Sequence, residues 1–296
     1  MGHHSPRRSS GKAAFVTHDS NESVEYQELL QTASLAAQAA VDLIFTNRPN
    51  SFRIEQKSSA TDHVTEMDLA SEALIRKIIA THRPHDRVIG EETQVGSVPD
   101  QVAASDVVWF VDPIDGTTNY VYNHPGYAVS IAAQIDGQTV AGIVADPSHG
   151  RTYSATLGGG AFCNSHPLLL APQAPHAGQA LIATALVATG FSYSAERRAR
   201  QGKVIAELLA QIRDIRRMGS AANDLCSVAS GRVDAYFEVG LSSWDFAAGA
   251  LIATEAGAQV GSIDPSAGAT EGILAAGQEL FEPLRELLFE LGAARV

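Results

Sequence analysis

The sequence of 296 residues predicts an α/β protein, with an α+β first half joined to a layered α/β second half. Three observations carry that expectation. Apolar residues recur at helical spacing over residues 24–45 and 66–81. Strand-like apolar runs broken by turn residues then fill residues 87–156. From residue 180 onward, strand-like and helix-like segments alternate.

Taken in order, Leu30, Ala33, Ala37, Ala40, Val41 and Ile44 line one face of a first helix, Val24 to Phe45, which Pro49 closes. A second helix, Glu66 to Thr81, places Met67, Ala70, Leu74, Ile75, Ile78 and Ile79 inward. Thr65 is its expected N-cap, with Asp68 in the capping-box position, and Arg83-Pro84 ends it. Short Arg87-Val-Ile89 and the apolar run Val107 to Val111 read as strands. Tyr127 to Ile135 and Thr139 to Ala145 flank Asp136-Gly137, a hairpin signal, and Arg151 to Thr156 adds another strand. Gly158-Gly-Gly160 lacks the Lys-Ser/Thr and the following helix of a phosphate loop, so it reads as a turn. Pro, Ala and His gather over His166 to Gly178, the best boundary between halves. The expected division is a disordered tail 1–22, a first half 23–165 and a second half 166–296. Beyond it come strand Ala180 to Val187, helix Ala195 to Ile212, strand Asp214 to Met218 and helix Ala221 to Ser230. Strand Val233 to Val239, helix Trp244 to Ala256, strands Gln259 to Ile263 and Gly272 to Ala276, and helix Gln278 to Leu291 complete the chain.

Composition bounds the function. Acids outnumber bases, 33 to 21, for a formal charge of −12. That balance disfavours nucleic acid or an anionic membrane as the main partner, since both reward a basic surface. The clusters Arg197-Arg198-Arg200 and Arg213-Arg216-Arg217 read as solvated or interface charges. No apolar run approaches the roughly 20 residues of a membrane span, and the polar start lacks a signal core. Two cysteines, Cys163 and Cys226, are too few for a disulfide framework and fit a reducing cytoplasm. Five scattered histidines, His63, His82, His85, His124 and His149, show no metal-ligand spacing.

The chemistry concentrates in Trp109-Phe-Val-Asp112-Pro-Ile-Asp115-Gly-Thr117-Thr-Asn-Tyr120. A buried strand delivers Asp112 at its end, Pro113 stiffens the turn, and Asp115 follows three residues later. Both carboxylates and the Ile114 carbonyl can then converge as hard oxygen ligands for Mg²⁺. Gly116-Thr117-Thr118 looks like a helix start able to hold a phosphate. Taken alone, the same string is equally an Asx turn with an N-cap. Two further acidic sites weigh against that reading. Ile89-Gly-Glu91-Glu92 sets adjacent acids after a strand, and Ser243-Trp-Asp245 opens a helix whose Ala247-Ala-Gly249-Ala250 implies close packing.

Together these three segments resemble the inositol monophosphatase family of Mg²⁺-dependent, lithium-sensitive phosphatases, over roughly Glu25 to Leu291. The resemblance implies a layered α/β/α/β/α sandwich of the sugar-phosphatase type, usually a homodimer, with two or three Mg²⁺ per site. It implies Glu91, Asp112 and the Ile114 carbonyl as ligands of a first ion, and Asp112, Asp115 and Asp245 as ligands of a second. A weaker third ion would lean on Glu91 and water. Thr117 and Asp68 match the pair that orients the attacking water. Gly116 and Thr117 match phosphate-holding backbone; Glu238, Ser220 and Ala221 match contacts to ring hydroxyls; Arg216 falls where bacterial members place a substrate-side Arg. Lys57-Ser-Ser59 corresponds to a mobile loop that closes toward the metals. Tyr120 stands where Phe is common and Ala60 where Pro is common, neither within the metal set.

The activity this implies is hydrolysis of a phosphate monoester, with myo-inositol-1-phosphate as first choice. Histidinol phosphate and fructose 1,6-bisphosphate remain alternatives of the same fold. A regulatory protein that keeps the fold and binds a partner protein is the reading from another class.

Overall fold

The computed structural model describes residues 20–52, 54–56, 63–93, 107–170, 179–266 and 272–296. Residues 1–19 of the expected tail, the Lys57 loop, and residues 171–178 of the expected boundary lie outside them, while residues 20–22 of that tail belong instead to the first helix.

Helix α1 (Ser20–Thr46) buries Leu29, Ala33, Ala36, Ala37, Ala40 and Ile44, a helical stripe, while its other face stays in solvent. Contrary to the expectation from run length, α1 is long and apolar enough to cross a membrane by length and composition. The fold uses it as a core helix. A two-stranded ribbon, β1 (Ile54–Gln56) and β2 (His63–Thr65), follows; neither strand was legible in the sequence, being three residues long. Thr65 then caps α2 (Glu66–His82) as expected: its Oγ1 accepts from the Met67 N–H at 3.1 Å, and Asp68 Oδ2 accepts from the Thr65 N–H at 2.8 Å.

A seven-stranded sheet comes next, formed in chain order by β3 (Arg87–Gly90), β4 (Val107–Asp115), β5 (Ala128–Ile135), β6 (Gln138–Asp146), β7 (Arg151–Thr156), β8 (Gly160–Cys163) and β9 (His166–Leu168). Only β3 and β4 pair in parallel. Side chains alternate across β5, sending Val129, Ile131 and Ala133 toward α1 and α2, and Ala128 and Ala132 to the other face. Both faces are covered, which is why these strands read as continuous apolar runs rather than an apolar–polar alternation. The predicted glycine turn lies between β7 and β8, where the Gly158 and Gly160 N–H groups donate to the Glu255 carboxylate at 2.8 and 2.9 Å.

The second half departs from expectation at its start. Residues 180–187 were expected as one strand; instead α4 (Gln179–Thr184) precedes β10 (Leu186–Thr189). An apolar run of this length carries no decisive period, and Leu181 is buried as a helical residue in the outer core. Then follow α5 (Ala195–Leu208), β11 (Asp214–Arg216), α6 (Ala221–Ala229), β12 (Ala235–Glu238), α7 (Ser243–Glu255), β13 (Gln259–Ser262), β14 (Ile273–Ala276) and α8 (Gln278–Glu290), close to their expected places. The sheet order is β11-β10-β12-β14-β13.

Three cores define five layers. One joins α1 and α2 to the large sheet, one holds α6 and α7 between the two sheets, and one packs α4, α5 and α8 on the outer face of the smaller sheet. This is the α/β/α/β/α sandwich. The central layer is tight: a Cβ at Gly142 of β6 would stand 3.0 Å from Ala248 Cα, and one at Gly249 would stand 2.8 Å from Leu225 Cβ. That contact accounts for the small residues of α7. Cys226 is buried in this layer and Cys163 half-buried beside it; both are free thiols.

Candidate active site

The site grows from the ends of two parallel strands. Gly90 pairs with Val111, so Glu91 leaves β3 beside Asp112, and the Glu91 N–H donates to the Val111 carbonyl at 3.0 Å. Strand β4 does not stop at Val111 as expected. It continues to Asp115 through a register shift between Asp112 and Asp115, at Pro113, which cannot donate to the ladder. The bulge brings both acids to the same cleft, and Asp112 Oδ1 steadies it by accepting from the Ile114 N–H at 3.1 Å.

Gly116 follows at φ 90°, where a Cβ would press within 2.9 Å of the carbonyls of Gly126 and Gly219. It opens α3 (Thr117–Val121), a single short helix. Thr117 Oγ1 lies 3.0 Å from both Asp68 Oδ1 and the Ile114 carbonyl oxygen. Asp68 thus serves two ends: one oxygen caps α2, the other meets Thr117.

The C-terminal elements close the cleft. Asp115 Oδ2 accepts from Ser220 Oγ at 2.6 Å and from the Ala222 N–H at 2.8 Å, binding it to the start of α6, whose first residue is Ala221. Asp245 sits in the first turn of α7, its Oδ2 accepting from the Ser242 N–H at 2.6 Å in a second capping box. Glu238 ends β12 and accepts from the Tyr236 hydroxyl at 2.8 Å. Arg216 is exposed, pairs with Asp214 at 2.8 Å, and lines a cavity of about 250 Å³ with Asp146, His149, Arg151, Asn223 and Asp224. Its neighbour Arg217 supplies the positive charge felt by Glu238 and Asp224. The sequence marks Arg217 only as one of a cluster of solvated or interface charges, and does not mark Asp224, a buried acid in the first turn of α6. Only its place one turn beyond Ser220 could have marked the latter.

Electrostatics separates these acids. Burial pushes the Asp68 carboxyl up to about 6, against hydrogen bonds from Thr65 that lower it. Burial raises Asp115 to about 7, opposed by Ser220 and the Ala222 N–H, and reinforced by Glu238 and Glu91. Asp112 rises well above the usual carboxylate range, through burial first and then the charges of Glu91, Asp115 and Asp245. Asp245 rises likewise, through burial and the charge of Asp115. The strongest influences on Asp112 after burial are all carboxylates, so this donor set fits a divalent cation with a preference for hard oxygens. Among the described residues no three His, Cys, Asp or Glu side chains already form a closed ligand set. The acids stand near one another while individually tied to protein donors.

Two sheets sandwiching a helical layer, with a cluster of buried acids where β4, α3, α6 and α7 meet, define the class: a layered phosphatase-type fold. The sequence profile of the inositol monophosphatase family matches residues 25–291, and the chain belongs to that family. It is 47% identical over 222 residues to the inositol-1-monophosphatase of Mycobacterium bovis, covering 73% of each chain. It is 40% identical over 232 residues to the Nus factor SuhB of Escherichia coli K12, covering 77% of this chain and 83% of that one. Mycobacterium tuberculosis SuhB superimposes with a TM-score of 0.74 at 38% identity, over 91% of this chain and 98% of that structure.

Proposed function

We propose that the chain is a Mg²⁺-dependent phosphate monoester hydrolase whose first-choice substrate is myo-inositol-1-phosphate. The observation that carries the reading is the meeting of Glu91, Asp112, Asp115 and Asp245 beside the Thr117–Asp68 pair. In this reading Glu91, Asp112, the Ile114 carbonyl, Asp115 and Asp245 hold two or three Mg²⁺. Bound, the ions lower the pKa of water and neutralise charge on phosphate and leaving oxygens.

The chain's own groups do the rest. Thr117 Oγ1 carries one proton and has two acceptors within reach, Asp68 and the Ile114 carbonyl. Donating to either leaves its lone pairs open to accept from, and aim, the attacking water. Asp68, raised to about 6, is ionised at neutral pH yet basic enough to take the proton onward. Asp245 holds the water that protonates the leaving oxygen. The N–H groups of Gly116 and Thr117 hold the phosphate, while Glu238, Ser220 and Ala221 take ring hydroxyls. Arg216 is the substrate-side cation of this assignment, with Arg217 beside it. The division into halves 23–165 and 166–296 gives the first half most of the ligands and the second Asp245 and Glu238. The protein works as a cytoplasmic homodimer, inhibited by Li⁺.

The test is phosphate release from inositol-1-phosphate, histidinol phosphate, fructose 1,6-bisphosphate and adenosine 3′,5′-bisphosphate, with and without Li⁺. Inositol-1-phosphate should be hydrolysed fastest. Inactivity on all four with Mg²⁺ present defeats the proposal, and a faster second or third ester moves the substrate to those alternatives.

A second reading, a regulatory role, is favoured by the relative named a Nus factor. Recovery of transcription machinery on the inactive Asp112→Asn protein would support it as an added role; its absence would remove it.

A further inference from the structure

Among the buried carboxylates outside the set assigned above, Glu72 is tied directly to the Glu91 segment. Glu72 lies on α2, four residues after Asp68 and thus on the same helix face, and is only 1% exposed. Its oxygens are taken by donors just beyond Glu91. Oε2 accepts from the Glu92 N–H at 2.8 Å, and Oε1 accepts from the Thr93 hydroxyl and from Arg76 Nε at 2.8 Å. Arg76 continues the tie by donating from Nη1 to the Val88 carbonyl of β3 at 2.9 Å. Gly90 lies directly against the same carboxyl, and a Cβ there would collide with it.

A buried carboxylate destabilises a fold unless its lone pairs are satisfied. Neutralising Arg76 alone would not require two partners from the Glu91 loop. With the Glu91 N–H held by Val111, the backbone on both sides of that residue is fixed: by β4 before it and by Glu72 after it.

We propose that Glu72 is a positioning residue that sets the Glu91 carboxylate for Mg²⁺, so that one face of α2 aligns both Glu91 and, through Asp68, Thr117. The proposal rests on the metal-binding reading of Glu91. Glu72→Gln preserves volume but turns one acceptor into an NH₂ donor, which cannot serve Glu92, Thr93 and Arg76 together. Two readouts need no substrate: amide hydrogen exchange at residues 90–93, and Mg²⁺ titration by calorimetry. Exchange there should quicken by about tenfold or more, and the Mg²⁺ Kd should rise about 10- to 100-fold, as for other groups that orient metal ligands. Gly90→Ala, which displaces the carboxyl from the other side, should weaken Mg²⁺ binding in the same sense. Unfolding midpoints taken in chelator separate this from a general loss of fold. Should Glu72→Gln not fold, the milder Thr93→Val should still raise the Kd by at least about twofold. An Mg²⁺ Kd within about twofold of the parent in Glu72→Gln, whatever exchange does, overturns the proposal. A parent that binds Mg²⁺ but cleaves no ester defeats the hydrolase reading and leaves this one standing; a parent that binds none defeats both.

Discussion

The same local device delivers two acids to the cleft with opposite consequences. Thr65–Asp68 on α2 and Ser242–Asp245 on α7 are both capping boxes, each with an Asp whose Oδ2 accepts the N-cap N–H, at 2.8 and 2.6 Å. Asp68 turns its other oxygen to Thr117, and its carboxyl settles at about 6. Burial raises Asp245 well above the usual carboxylate range, and the charges of Asp115, Glu91 and Glu238 add to it. One box yields a hydrogen-bonded base, the other a member of a self-repelling cluster. Local motif therefore sets where an acid stands, and its neighbours set what it does.

The largest effect should come from the centre of that cluster. Asp112→Asn should lower phosphate release at saturating Mg²⁺ by about a thousandfold, roughly 4 kcal/mol of barrier. Activity surviving within about tenfold would defeat the cluster's role. The comparison itself is tested by paired substitutions. Asp245→Asn should weaken Mg²⁺ binding at least about tenfold, whereas Asp68→Asn should cut kcat about a hundredfold or more with Mg²⁺ affinity within about threefold. Equal Mg²⁺ affinities in the two variants would erase the distinction.

Next in size is the pH dependence of the metal-free protein. Asp112, Asp115 and Asp245 have folded pKa values above the unfolded value of about 3.9, so the folded state binds more protons in between. Stability in chelator should then fall as pH rises from about 4 through about 7. The unfolding midpoint at pH 8 should lie several degrees, roughly 5 °C, below that at pH 6, and saturating Mg²⁺ should flatten the difference. Identical midpoints in chelator would show that burial and mutual charge do not raise these carboxyls in the folded protein. The smallest effect concerns the caps: Thr65→Ala should cost about 1 kcal/mol in chemical denaturation. It should also disturb kcat, because Asp68 is held there, and an unchanged kcat would separate cap from chemistry.

Much of this was legible because it is local. The Thr65 cap, the stripe of α1, and the hairpin at Asp136-Gly137 follow from residue spacing and turn chemistry alone; on α2 the spacing placed Met67, Ile75 and Ile79 correctly, but Ala70 is exposed and the polar Asp68, Ser71 and Glu72 are buried instead. The apolar run 180–187 failed for the complementary reason: its period is ambiguous, and packing against the outer core chose helix for its first part. Strands β1, β2, β8 and β9 were missed because three- or four-residue strands exist only through their partners. At the site, Glu91, Asp112, Asp115 and Asp245 could be singled out by residue type and resemblance, while Glu72 and Asp224 could not. Nothing within their own segments distinguishes them from ordinary charged helix and loop residues.

By itself, then, the sequence determined most of the order of elements, the capping box at Thr65, the acidic segments and the family they resemble, since those depend on neighbours a few positions away. Only the tertiary structure decided that β4 runs on through a bulge to Asp115, that α6 and α7 lie between two sheets, and that Glu72 is buried against the Glu91 loop. Those outcomes depend on contacts between residues far apart in the chain, such as Ser220 with Asp115 and Thr117 with Asp68. Burial and mutual charge, the two terms that push these pKa values apart, exist only once such contacts have formed.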